Sequence, residues 1–329
     1  MRAFSSLGWL CAAAPRSGWL RATAAYNGCL FAAVACALLA LSLPAPAVRA
    51  EGHVPLFDHV FIILMENRSE AQIIGDTNQA PYINQLAAEY GLATNYAAVS
   101  HPSLPNYLAL TGGDTLGITT DCTSCFVSAP NLVMDRIVPS GRTWKAYMEG
   151  MPSSCWLGDS HLYVQRHDPF VYYANIRSGA QCDNVVSMSG LADDLASADT
   201  TPNYVWISPD LCNDMHDCPT STGDAWLQNT VPTILGSPAF TTQTSMLLIT
   251  WDEDDDSTLA NQVPLLVVSP RVPAGYRSSV PYTHYSLLRT IEDAWALQPL
   301  SANDAAATPL SDFFPPHETT PSPSGRGPG

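Results

Sequence analysis

The chain has 329 residues and a formal net charge of −16, and 46% of its residues are hydrophobic. That is enough apolar material for the core of one large α/β domain. So acidic a chain is not expected to bind nucleic acid or an anionic membrane, since both call for a basic face, and Lys145 is its only lysine.

Residues 1–50 read as an export leader. Arg2, Arg16 and Arg21 precede an apolar run over 29–43, which ends in Pro44-Ala45-Pro46-Ala47-Val48-Arg49-Ala50. The run is short for a bilayer span, and its small residues suit a signal peptidase. A retained anchor is the alternative. The expectation is a secreted or extracytoplasmic protein with no stable membrane insertion once the leader is gone.

The next elements alternate. Residues 58–65 form a continuous apolar run, the pattern of a strand buried on both faces. Residues 81–90 carry a helical stripe, 92–99 read as a strand, and 103–110 as a helix stopped by Gly112-Gly113. Strands are expected at 143–148, 203–207, 245–250 and 263–268, with helices over 191–198, 224–235 and 286–297. Such alternation predicts an α/β fold, a mostly parallel sheet flanked by helices on both faces. The stretch 118–181 reads as an insertion shaping the site, within a single domain over 51–314. The Pro/Ser-rich tail, 315–329, has too little apolar content to fold.

Three of the nine cysteines lie in the leader, which leaves Cys122, Cys125, Cys155, Cys182, Cys212 and Cys218. An even number in an exported chain suggests disulfides. Neighbour pairing would join 122–125, 155–182 and 212–218, one of the 15 connectivities six cysteines allow. A zinc site on Cys122 and Cys125 is the alternative, without a second CxxC or His pair at a usual spacing.

In an open parallel sheet, ligands bind beyond the carboxyl ends of the strands. Polar residues follow three of the apolar runs: Glu66-Asn67; Asp210 with Asn213, Asp214, His216 and Asp217; and Asp252-Glu253. Oxygen ligands of this kind suit a hard divalent cation. Ser103, in His101-Pro102-Ser103, stands where a helix begins. Such a serine is commonly a cap. Beside a cation and a helix N-terminus it is also placed to attack a bound phosphate. The acidic run Asp254-Asp255-Asp256 reads as a solvated loop, with a second cation site as the alternative, and Tyr107 and Trp206 read as core.

These segments together resemble a known family. Met65-Glu66-Asn67, His101-Pro102-Ser103-Leu104-Pro105-Asn106-Tyr107, Asn213-Asp214-Met215-His216-Asp217, Trp251-Asp252-Glu253 and Thr283-His284 resemble the bacterial phosphoesterases. That family groups secreted acid phosphatases with phospholipases C in the alkaline phosphatase-like superfamily. The resemblance covers roughly 58–295. It implies one divalent ion (Mg, Ca, Mn or Fe) on Glu66, Asn67, Ser103, Asp252 and Glu253, with histidines replacing the superfamily's second metal. His101, His216 and His284 are then expected to be catalytic, with His284 or His216 protonating the leaving group, while Asn106, His167 and Asp217 bind substrate. The expected activity is hydrolysis of a small phosphate monoester through phosphoserine at Ser103. Asp254 stands where the phospholipase branch has Gly-Gly, which favours the acid-phosphatase side. A sulfatase would need an arginine that Ser103-Leu104-Pro105-Asn106-Tyr107 lacks. A phospholipase C and a non-catalytic protein keeping the fold remain as alternatives.

Overall fold

The computed structural model describes residues 53–315. The expected leader and nearly all of the tail lie outside them. Every residue of β1 (His59–Met65) and of β7 (Ser245–Trp251) is buried. Successive strand residues face opposite ways, so burial of all of them means that both sheet faces are covered. Eight strands form one sheet in the order β5 (Val185–Ser187), β4 (Trp144–Met148), β6 (Tyr204–Ser208), β1, β7, β8 (Leu265–Val268), β2 (Gly91–Ala93), β9 (Arg277–Ser278). The five strands from β5 to β7 are parallel, and β8 runs antiparallel to β7 and β2.

The helices pack in pairs. α1 (Pro81–Glu89) lies against α3 (Thr220–Leu235), and α2 (Ser103–Gly112) against α4 (His284–Ala294). Asp224 of α3 accepts from the first-turn N–H groups of Tyr82 and Ile83, at 3.1 and 2.8 Å. A carboxylate thus satisfies the otherwise unpaired donors of α1. All ten residues of α2 are buried. Gly113 ends it with φ at 74°, and a Cβ there would meet Asp304 Oδ1 at 2.7 Å. Only glycine fits that cap.

Several expected boundaries shift for local reasons. The strand expected over 92–99 breaks at Thr94-Asn95 into β2 and β3 (Tyr96–Ala97); the latter pairs in a separate two-stranded sheet with β10 (Tyr282–Thr283). β8 starts at Leu265 because Pro264 has no N–H for the ladder. The helix expected over 191–198 keeps regular geometry only over Leu191–Asp194. The stretch 118–181 is not wholly an insertion, since β4 within it is a sheet strand between β5 and β6. The disulfides are Cys122–Cys125, Cys155–Cys182 and Cys212–Cys218, as neighbour pairing anticipated. Among the described residues no helix is long and apolar enough to cross a membrane.

Candidate active site

Strand register brings the carboxylates together. Met65 lies level with Trp251 across the β1–β7 pair, so Glu66 and Asp252 leave the sheet side by side. The Asp252 N–H bonds Met65 O at 3.0 Å, and the Glu66 N–H bonds Asp214 O at 2.9 Å. This second bond carries the loop after β6 onto the same edge. Asn67 turns with φ at 48°, a left-handed conformation that asparagine tolerates. Its N–H reaches Asp252 Oδ1 at 3.3 Å. Arg68 braces the turn, donating to Asn67 O at 2.7 Å and to Cys218 O at 3.1 Å.

Ser103 opens α2 beneath these groups and is buried. Its Oγ donates toward Glu66 Oε2 at 3.3 Å and Glu253 Oε1 at 3.4 Å, and it also reaches Asp252. Asn106, expected at the substrate, mostly ties the preceding turn, and its Nδ2 also reaches Glu253 Oε2 at 3.5 Å. Its Oδ1 accepts from the N–H groups of Val99 and Ser100 at 3.0 Å each, and its Nδ2 donates to Ser100 O at 2.9 Å. It shapes the turn that presents His101 and Ser103.

The histidines divide into buried and exposed pairs. His284 is fully buried, with Nε2 2.6 Å from Asp252 O and Nδ1 2.7 Å from the Tyr96 hydroxyl. The carbonyl can only accept, so Nε2 carries the proton and Nδ1 accepts from tyrosine. Burial pushes His284 down to about 4. A neutral ring with both nitrogens engaged holds the Asp252 backbone and is not the proton donor expected of it. His167 is also buried, 3.3 Å from both Glu66 Oε1 and Asp214 Oδ2, and stacks on Tyr107 at 5.3 Å between centroids. Burial holds it well below the usual imidazole range, and Arg166 and His216 add to the effect.

At the rim, His216 Nδ1 lies 2.7 Å from Asp217 Oδ1 and Nε2 lies 3.4 Å from Arg166 Nη2. Asp217 therefore orients His216; as an anion it would repel the phosphate it was expected to bind. His101 Nδ1 lies 2.8 Å from Glu253 Oε2, with Asp254 and Asp256 at 3.6 and 3.5 Å from Nε2. The acidic run is not uniformly solvated, for Asp254 is buried and accepts from the Thr258 N–H at 3.1 Å.

Four carboxyls crowd this site, and all stand above their ordinary range. Glu66 is raised well above it by burial first and then by Asp252 and Asp214, and burial dominates for Asp214 as well. Burial pushes Asp252 up to about 7, while burial, Asp252 and Asp121 push Glu253 up to about 9. Asn67 Oδ1 and Asp252 Oδ2 are buried without a hydrogen-bond partner, and His167 Nε2 and Asp214 Oδ2 have only their 3.3 Å approaches to Glu66 and His167, without hydrogen-bond geometry. Buried polar atoms are normally paired, and clustered buried carboxylates require a counter-charge. The donor set therefore fits a hard divalent cation. Glu66, His167 and Asp214 converge closely enough to share an ion, with all ligand atoms within 4.8 Å of one another.

Sequence reasoning missed several of these roles. From the sequence Asp214 belongs only to the strand-end group suited to a cation and stands outside the five-residue ligand set. Tyr107 was read as core, yet its hydroxyl donates to Glu66 Oε1. Arg166 and Asp121 carried no motif. Arg166 had one available signal, its place beside His167.

The phosphoesterase family profile matches residues 76–298. A phosphatidylinositol-3-phosphatase of Mycobacterium tuberculosis is 33% identical over 270 residues, covering 80% of this chain and 85% of its own length. An acid phosphatase of Aspergillus fumigatus is 28% identical over 277 residues; the match covers 80% of this chain but only 60% of the fungal enzyme. The structure of an alkaline phosphatase superfamily protein from Vibrio parahaemolyticus superposes with a TM-score of 0.52 at 10% identity, covering 77% of this chain and 70% of that one, a likeness of fold. The chain has the alkaline phosphatase-like α/β fold and belongs to the phosphoesterase family, hydrolases of phosphate ester bonds.

Proposed function

We propose that this chain is an exported, metal-dependent phosphomonoesterase of the acid-phosphatase type, with Ser103 as its nucleophile. The observation that carries the reading is the buried Ser103 Oγ, set at the start of α2 between Glu66 at 3.3 Å and Glu253 at 3.4 Å. Glu66, Asn67, Ser103, Asp252 and Glu253 would hold the ion, with Asp214 and His167 beside Glu66. When bound, such an ion lowers the pKa of the hydroxyl and offsets charge on the phosphoryl oxygens.

The protein's own groups account for the remaining steps. Glu66 and Glu253 orient the Ser103 hydroxyl, and its proton passes to Glu253, the less buried of the two, as Oγ bonds to phosphorus. The ester P–O bond breaks, and the leaving alkoxide takes a proton from His216, which Asp217 orients at the partly exposed rim. Water then attacks phosphorus and gives a proton to His216, while Ser103 Oγ leaves with the proton held by Glu253, which frees phosphate and restores all three groups. His284 and Asn106 position the machinery from behind. Three disulfides suit an oxidising, extracytoplasmic compartment.

The mycobacterial relative's name supports a second reading of the substrate, a phosphomonoester carried on a lipid headgroup. Both readings use the same chemistry. A panel containing p-nitrophenyl phosphate, its diester and a phosphoinositide in mixed micelles separates them from a phospholipase C, which would favour the diester. With a chiral phosphate monoester, two in-line displacements give retention at phosphorus. Inversion would mean that water attacks directly.

A further inference from the structure

The first turn of α2 has few amide donors to offer a phosphate. Pro102 and Pro105 carry no N–H, so the early donors are those of Ser103 and Leu104. The Leu104 N–H is already engaged by Asp121 Oδ1 at 3.0 Å. Asp121 Oδ2 in turn faces Arg166 Nε at 3.8 Å, and Arg166 Nη2 points to His216 Nε2 at 3.4 Å. A carboxylate therefore spans an amide next to the nucleophile and a guanidinium at the rim. Amide and guanidinium are the donors that bind phosphoryl oxygens best.

The two segments are held in register. The Gln165 Nε2 group donates to Thr123 O at 2.9 Å, tying the loop of Asp121 to the turn of Arg166, and the Cys122–Cys125 disulfide closes that loop. Asp121 is about one-third exposed at 32%, so it can swing into water when displaced.

We infer that Asp121 tunes phosphate affinity, as a resident carboxylate that competes with phosphoryl oxygens for the Leu104 amide and the Arg166 guanidinium. The inference rests on the phosphomonoesterase reading of the site. By holding the amide and facing the guanidinium, Asp121 weakens binding of ester and product phosphate alike, and so hastens phosphate release. The competing account is a plain helix cap. Asn caps as well as Asp, so Asp121→Asn removes the charge and keeps the cap.

The test compares wild type and Asp121→Asn with inorganic phosphate as the competing ligand and p-nitrophenyl phosphate as substrate. Removing a partly exposed like charge should lower the phosphate inhibition constant roughly three- to tenfold and KM by a similar factor. The chain should unfold at the wild-type temperature. Arg166→Gln should raise the inhibition constant, and the double variant should lose most of the gain from Asp121→Asn. If Asp121→Asn fails to fold, Asp121→Ala repeats the test by freeing the Leu104 amide outright. Unchanged or weaker phosphate inhibition in an active variant overturns the inference and leaves the reading of the site intact. A collapse of kcat with loss of one limb of the pH profile also overturns it, making Asp121 a proton donor. A wild-type protein that hydrolyses no phosphate ester overturns both.

Discussion

In one half of the site the carboxylates Glu66 and Asp252 hang from adjacent parallel strands, whereas in the other His167 and His216 ride on loops closed by disulfides. Glu66 and Asp252 are neighbours because Met65 and Trp251 are paired across β1 and β7. His216 and Asp217 are in place because the Cys212–Cys218 bridge folds their loop back and Asp214 O bonds Glu66 N. The first half is set by the same ladder that builds the core, and moving it means moving the sheet. The second half is set by a few covalent and polar ties, and it is where a family can vary substrate without disturbing the fold.

The largest effect belongs to the first half. Ser103→Ala should reduce turnover by about three orders of magnitude or more, since neighbours do not replace a nucleophile. Steady-state kinetics and circular dichroism together should show a folded, inactive protein; near-wild-type turnover would demote Ser103 to a helix cap. Glu66→Gln and Asp252→Asn should each lower bound divalent metal, measured by mass spectrometry of dialysed protein, because each removes a charged oxygen donor. Chelation of the wild type should abolish hydrolysis, and one divalent ion should restore it.

The disulfides sharpen the contrast between the halves. Cys155–Cys182 spans 27 residues and Cys212–Cys218 spans 6. Loop closure then assigns the longer bridge about 3.5 kcal/mol of stability and the shorter about 2 kcal/mol. Replacing both cysteines of the longer bridge by serine should cost more in thermal unfolding. The shorter pair should cost more in kcat, because it frees the loop of His216. Equal losses of kcat would show that His216 does not depend on its bridge.

How much of this was legible follows the same division. Glu66, Asp252 and Glu253 stand directly after continuous apolar runs, and a strand end in a parallel sheet is where a ligand site is expected. The cysteine pairing was legible because neighbouring cysteines close short loops. The role of His284 was not, because no local pattern shows that a helix start will be buried against the Asp252 carbonyl. Asp121 and Arg166 meet only because Gln165 bridges their loops, a contact 42 residues apart in sequence. The strand break at Thr94-Asn95 was hidden for a similar reason, since its two parts pair with different distant strands.

The smallest expected effect lies outside the site. Glu292, on α4, is buried, and burial first and then the nearby Asp304 carboxylate push it up to about 9 from an ordinary value of 4.5. Its folded-state pKa is raised, so its contribution to stability is complete below 4.5 and is lost as pH rises through 9. Thermal unfolding of the wild type should therefore weaken over that interval, and Glu292→Gln should flatten the loss. A variant with the wild-type slope would assign the alkaline loss to other groups.

The central claim is that Ser103 carries the phosphoryl group. Rapid acid quenching during turnover of p-nitrophenyl phosphate, followed by peptide mass spectrometry, tests it directly. The expected result is an added phosphoryl group on the peptide containing Ser103, absent from Ser103→Ala and absent without substrate. Full turnover with that peptide unmodified at every quench time, or with the phosphoryl group on a histidine, would contradict it.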